Sequence, residues 1–314
     1  MWSGVALLIG TMIGAGIFRT PASIATVLND PRLILGLWIL FGLVSICGAL
    51  TLAELATMMP KTGGMYVFLR AAYGDASAFV FGWLYMVAAI PSGMAALAVF
   101  SGELTMGVAG LSPASQPWGI PLIAIGAITA FSLANFIGVK CGSAIQNIFA
   151  VTKITALLAA IVGAFVFGQG LVSRWWVPST TIAGDPGGWM AAVKSVLFTY
   201  NGWMYISFVA GELNEPERRL KRLILLGTGG AVLLYLGANF AYLYLIPLPA
   251  MPGTVVAKEA MSMLLGPVGA TVMTACILAS VFGALNGVIL TKARVAYALS
   301  RDGLTFGFLG RAHP

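Results

Sequence analysis

Residues 10–18 read Gly-Thr-Met-Ile-Gly-Ala-Gly-Ile-Phe, within an apolar window of about 20 residues that starts near Gly4. Gly14 and Gly16 flank a single alanine, and each glycine costs a helix interior about 1 kcal/mol relative to alanine. Gly10 and Gly14 also make a Gly-x-x-x-Gly face, so close helix packing accounts for the stretch as readily as a break does. A second run, 198–203, reads Phe-Thr-Tyr-Asn-Gly-Trp inside a later apolar window. Asn-Gly favours a turn, although a kinked helix with aromatic packing fits the same residues. The pair says more than either member. The two runs fall in the first and sixth apolar windows, five crossings apart, so they enter a bilayer from opposite sides. Two five-helix repeats of inverted topology produce that spacing, with a substrate site where the breaks meet at mid-membrane. Unwound backbone at that depth must be buried in protein or line a polar cavity. Free amides at a half-helix N-terminus suit a carboxylate, and free carbonyls suit an ammonium. A zwitterionic amino acid carries both.

The rest of the chain agrees with a bilayer. It has 314 residues, of which 59% are apolar and only 9% charged, with a mean hydropathy of +0.95. A water-soluble domain carries about a quarter charged residues, so this is an all-α polytopic membrane protein. Windows of about 20 apolar residues start near Gly4, Leu33, Ala76, Gly119, Ile145, Trp189, Leu223 and Met263, which predicts eight transmembrane helices. Broken helix 1 falls in a first repeat, 1–168, and broken helix 6 in a partial second repeat, 188–314. The net charge of +7 does not indicate a nucleic-acid module, because the lysines and arginines cluster between the apolar windows. With the N-terminus cytoplasmic, eleven fall on the inner side: Lys61, Arg70, Lys140, Arg218, Arg219, Lys221, Arg222, Lys292, Arg294, Arg301 and Arg311. Five fall outside: Arg19, Arg32, Arg174, Lys194 and Lys258. A cleavable signal peptide is not expected, since no basic region precedes the first apolar window. Cys47, Cys141 and Cys276 form no Cys-x-x-Cys pattern and His313 is the only histidine. No metal site, cofactor or disulfide framework is expected.

At these residues the sequence resembles the amino acid–polyamine–organocation transporters, in particular the L-type branch and its bacterial exchangers. The matching stretches are Gly10–Phe18, Ala53–Tyr73 (AELATMMPKTGGMYVFLRAAY), Leu197–Trp203 (LFTYNGW), Phe208–Arg218 (FVAGELNEPER) and Phe282–Leu304. The resemblance implies an inverted-repeat transporter fold (five-plus-five, LeuT-like) with twelve helices, of which this chain would be a fragment lacking the last four. It implies a multi-pass protein of the bacterial inner membrane. It also implies that the first break, Ile13 to Gly16, binds the substrate carboxylate through the backbone of Gly14, Ala15 and Gly16. Phe198, Thr199 and Tyr200 would present carbonyls to the α-amino group, and the Phe198 ring would act as the outer gate. Asn201 departs from a glycine common at its place, and with Gly202 completes the second break.

Lys153 lies deep in the fifth window, about ten residues or ~15 Å from its inner end, so snorkelling explains it poorly. A lysine at the bilayer centre costs about 2.5–3.5 kcal/mol even on a lenient scale. The resemblance implies that its ammonium takes the place of a sodium ion between spans 1 and 8. There it would donate to carbonyls near Ile13 and Gly14 and to a hydroxyl, expected to be Ser280. Transport would then be sodium-independent, as exchange or as proton symport. Glu54 is expected in a structural salt bridge or hydrogen bond with an inner basic residue, with a proton relay as the alternative. Glu212, Glu215 and Glu217 with Arg218–Arg222 read as a solvated inner loop or an inner gate network, and Trp118, Trp175 and Trp176 as interfacial anchors. The stretch 107–119 holds no cysteine where L-type light chains bond a heavy chain, so no disulfide-linked heavy chain is expected. The expected partners are an amino acid substrate and the lipid bilayer. The function read here is a secondary transporter of small neutral amino acids working by alternating access. A channel or amino-acid sensor on the same scaffold is the alternative. An intramembrane enzyme would need facing ionisable pairs, and the windows hold almost none beyond Lys153 and Glu54.

Overall fold

The computed structural model describes residues 2–112, 114–176, 186–208, 210 and 215–311. No strand occurs among them. The first crossing is made of two helices, α1 (Trp2–Met12) and α2 (Gly16–Ala25). It continues into α3 (Pro31–Met58), α4 (Met65–Leu84), α5 (Ile90–Val108), α6 (Gly119–Ile137) and α7 (Val139–Phe167). The sixth crossing is again split, into α8 (Pro186–Tyr200) and a single turn, α9 (Tyr205–Phe208). Helices α10 (Pro216–Leu245) and α11 (Val256–Arg301) complete the bundle. Seven stretches of the described residues are long and apolar enough to cross a membrane. The described helices of the sixth crossing, α8 with 15 residues and α9 with 4, are not among them.

Local chemistry sets several of these boundaries. Asp30 caps α3, accepting from the Arg32 amide at 2.9 Å, with Pro31 in the first turn. The Arg32 guanidinium clasps both oxygens of that carboxylate, at 3.1 and 2.7 Å, and holds it below the usual carboxylate range. Tyr85–Ala89 forms a π turn between α4 and α5. Pro91, just inside α5, has no N–H for the Val87 carbonyl, which favours the wider turn. Two helices contain a turn that the hydropathy windows do not mark. Gly74 (φ 81) divides α4, and Gly266 (φ 63), followed by Pro267, divides α11. At such φ only glycine avoids a Cβ clash, so the third and eighth crossings are each preceded by a short helical arm. Those arms, 65–73 and 256–265, start earlier than the expected Ala76 and Met263.

The core forms around the first crossing. Helix α1 packs on α7, α10 and α11, while α2 packs on α8, and α3 lies against α10. Gly10 faces Gln146 and Ala150 of α7, and Gly14 faces Ala284 of α11, so the glycines serve packing as well as the break. Helix α6 lies at the edge, against α5, α7 and α11, with only 6% of it buried.

The residues expected at the surface divide. Glu54 is exposed and has no ion pair among the described residues. Trp175 is half-buried: its indole donates to the Phe240 carbonyl at 3.0 Å and packs on that ring. Beside it, Arg174 donates to the Tyr244 and Leu245 carbonyls (2.9 and 2.6 Å), closing the end of α10. Trp118 and Trp176 are exposed. Glu215 pairs with Arg219 at 3.2 Å; Glu212, Leu213, Asn214 and His313 lie outside the described residues, as do the side chains of Glu217, Arg218 and Lys140.

Candidate functional site

The two breaks touch. A Cβ on Gly202 (φ 141) would sit 2.8 Å from Met12 Cγ and 2.9 Å from Met12 Cα, so the second break lies directly on the end of α1. A Cβ on Gly16 would meet the Thr199 side chain at 2.6 Å. Thr199 donates to the Ser195 carbonyl (2.8 Å) and its hydroxyl oxygen lies 2.9 Å from that of Thr20, tying α2 to α8.

Each break exposes backbone, though not quite as expected. The Gly14 amide turns back onto the Met12 carbonyl at 2.9 Å. The free amides at the start of α2 are therefore Ala15, Gly16 and Ile17, which have no partner among the described residues. Across the gap, the Phe198 carbonyl accepts from the Asn201 amide at 3.1 Å. The Thr199 carbonyl lies 3.3 Å from the Tyr235 hydroxyl, which donates to the Met12 carbonyl at 2.6 Å. Tyr200 points its ring away from the site into α3, where its hydroxyl donates to the Trp38 carbonyl at 2.9 Å.

Lys153 is fully buried. Its ammonium donates to the carbonyls of Gly10 (2.8 Å), Ile13 (2.7 Å) and Ser280 (2.9 Å). Three N–H groups thus meet three carbonyl oxygens, and the positive charge sits at the C-terminal end of α1, where the helix dipole is negative. Two expected partners change. Gly10 replaces Gly14, and Ser280 receives the ammonium on its carbonyl rather than its hydroxyl. That hydroxyl itself donates to the Ile13 carbonyl at 3.1 Å.

A cavity of about 620 Å³ opens beside the breaks. Of the expected site residues, Gly14, Ala15, Gly16, Phe198, Thr199 and Asn201 line it; Ile13, Tyr200 and Gly202 do not. Phe198, 69% exposed, stands at its mouth with Arg19 and Ser23. The Asn201 side-chain oxygen is buried with no partner among the described residues. The other end of the cavity is closed by Tyr85, Tyr205 and Phe208, whose rings lie 5.8–6.0 Å apart. Behind them Tyr66 and Arg70 both bind Asp302, at 2.9 and 2.5 Å, and Arg70 also binds Asp75 at 2.6 Å.

The family described as amino acid permease matches residues 1–314, the whole chain. This chain belongs to that family. The permease is 32% identical to the "Serine/threonine exchanger SteT" of Bacillus subtilis (strain 168) over 320 residues, covering 99% of this chain and 70% of the relative. It is 29% identical to the "b(0,+)-type amino acid transporter 1" of Mus musculus, covering 96% of this chain and 62% of the relative. It is 28% identical to the human "Large neutral amino acids transporter small subunit 2", covering 99% and 59%. The permease thus spans between 59% and 70% of the length of these relatives.

Two features of the permease's cavity escape a reading of its motifs. Lys292 is not at an exposed inner helix end. It is 5% exposed and lines the cavity, with its ammonium over the rings of Tyr205 (4.7 Å) and Tyr85 (5.4 Å). Its place two turns along α11 from Ala284, on the same face, was the available signal. Among the described residues the closing network consists of Tyr66, Arg70, Asp75 and Asp302; Glu212 and the side chains of Glu217 and Arg218 lie outside them. Only long-range contact between α4 and the end of α11 reveals it.

Proposed function

We propose that this permease moves small neutral amino acids across a membrane by alternating access, independently of sodium, as an exchanger or a proton symporter. One observation carries the reading: two broken helices lie back to back on a cavity, one offering amides and the other carbonyls. The amides of Ala15 and Gly16 at the start of α2 suit the substrate carboxylate, helped by the α2 dipole. The Thr199 carbonyl and the orphan Asn201 oxygen suit the ammonium, with Tyr200 packed behind them. Ile13 and Gly202 shape the breaks from behind, and Phe198 acts as the gate at the mouth. The names of the relatives, an exchanger of serine and threonine among them, support the substrate class. Lys153, with Ser280, supports sodium independence, because a tethered ammonium fills a cage of carbonyl oxygens that otherwise suits a small cation.

The spacing of the breaks, with a glycine turn before both the third and eighth crossings, supports two inverted repeats, 1–168 and 188–314. On this reading the protein lies in a bacterial inner membrane with its N-terminus cytoplasmic and the cavity mouth outside. Moving Lys292 into the bundle leaves ten basic residues on the inner side against five outside, so the asymmetry still favours that orientation. No disulfide-linked heavy chain is needed on this reading, since 107–119 offers no cysteine. Counterflow in proteoliposomes tests the whole: internal amino acid accelerates labelled uptake by an exchanger, whereas a channel or sensor gives no acceleration.

A further inference from the structure

The closed end of the cavity is built from donors. Lys292 places its ammonium between two aromatic faces, and the hydroxyls of Tyr85 and Tyr205 have no hydrogen-bond partner among the described residues. No aspartate or glutamate lines the cavity among the described residues. Among the described residues the only other cation on its wall, Arg19, sits at the exposed mouth beside Glu103 (3.5 Å) and over the Phe100 ring. A buried ammonium without an anion is costly, and ring faces replace only part of its lost hydration. The helix geometry aims this charge at the site. Ala284 of α11 touches Gly14, and Val288 and Lys292 follow on the same face at one-turn intervals of about 6 Å. Helical side chains lean toward the N-terminus, so the lysine reaches back toward Val288 and the breaks.

We propose that Lys292, with Tyr85 and Tyr205, forms the side-chain subsite of this cavity and sets its charge preference. Amino acids whose side chain ends in a carboxylate are accepted alongside neutral ones, and those ending in an ammonium or guanidinium are refused. The physical basis is a pair of opposite costs. A side-chain carboxylate supplies the missing counter-charge and accepts from three donors, while a second cation meets uncompensated repulsion in a site short of water. The inference rests on the amino-acid transport reading above.

The test is competition against counterflow of a labelled neutral amino acid in proteoliposomes of the intact protein, with L-glutamate and L-lysine as competitors. In the wild type, glutamate competes at least about tenfold better than lysine, the scale of one good charge-assisted hydrogen bond. Lys292→Met and Lys292→Gln, each normalised to its own neutral counterflow, bring that ratio close to one. Tyr205→Phe removes one hydroxyl and little volume, shifts the ratio the same way by severalfold, and decides the matter if the lysine variants are not recovered. Wild-type counterflow that glutamate does not compete with, or a ratio unchanged in the variants, overturns the subsite alone. Absence of counterflow for every amino acid would overturn the transport reading and this one with it.

Discussion

At the scale of single residues, Lys153 decides most. Its position in the sequence made it anomalous, and its burial removes snorkelling as an explanation. What the sequence could not supply was its partners, because Gly10, Ile13 and Ser280 are 143, 140 and 127 positions away. Deleting the ammonium takes a donor from the Gly10 carbonyl and leaves the Ile13 carbonyl with the Ser280 hydroxyl. Hydrogen bonds to charged groups contribute about 1.5–3 kcal/mol each, and about 1.4 kcal/mol is a factor of ten. Lys153→Ala is therefore expected to insert and purify as a monodisperse protein while counterflow falls more than about tenfold. Wild-type counterflow in that variant would remove Lys153 from the mechanism.

At the scale of elements, the two breaks were legible because each carries its own chemistry: closely spaced glycines in 10–16, and Asn-Gly at 201–202. The turn at Gly74 was not legible, because a lone glycine in an apolar window looks like any packing glycine until its φ of 81 is known. Nor was the role of Tyr85, which depends on a π turn. The wall residues Met204, Tyr205 and Lys292 belong to segments whose proximity arises only from folding. The partners of the breaks are also tertiary facts, Tyr235 of α10 above all. Gly202 gives the sharpest test at this scale. Its φ of 141 lies outside what an L side chain adopts easily, and a new methyl would press on Met12 Cα at 2.9 Å. Strained backbone of this kind costs about 1–3 kcal/mol. Gly202→Ala is expected to weaken substrate affinity and lower the melting temperature together. Gly229→Ala, where a Cβ meets nothing within 4 Å, leaves both unaltered. Equal behaviour of the two variants in substrate titration and thermal unfolding would mean that the breaks do not press on each other.

At the scale of the whole molecule, one end of the cavity is open past Phe198 and the other shut behind Tyr205 and Phe208. The shut end is latched across α4 and the end of α11 by Tyr66, Arg70 and Asp302. Such a latch must be weak enough to open. Arg70 and Asp302 keep about a third of their side-chain surface (35% and 32%), so solvent screens the pair and its contribution is small. The Gly63 amide on the Phe208 carbonyl (3.2 Å) and the aromatic layer supply the rest of the closure. Asp302→Asn removes the charge that serves both Tyr66 and Arg70, so it shifts the balance of closed and open forms by about fivefold. A cysteine placed at Ala89, on the cavity wall near Tyr85, reads that shift in a background with Cys47, Cys141 and Cys276 replaced. Its labelling by a thiol reagent applied from the side of residues 59–64 should be about fivefold faster in Asp302→Asn than in the parent. Identical labelling rates would show that the ion pair does not hold the gate, leaving the aromatic layer as the barrier that alternating access has to move.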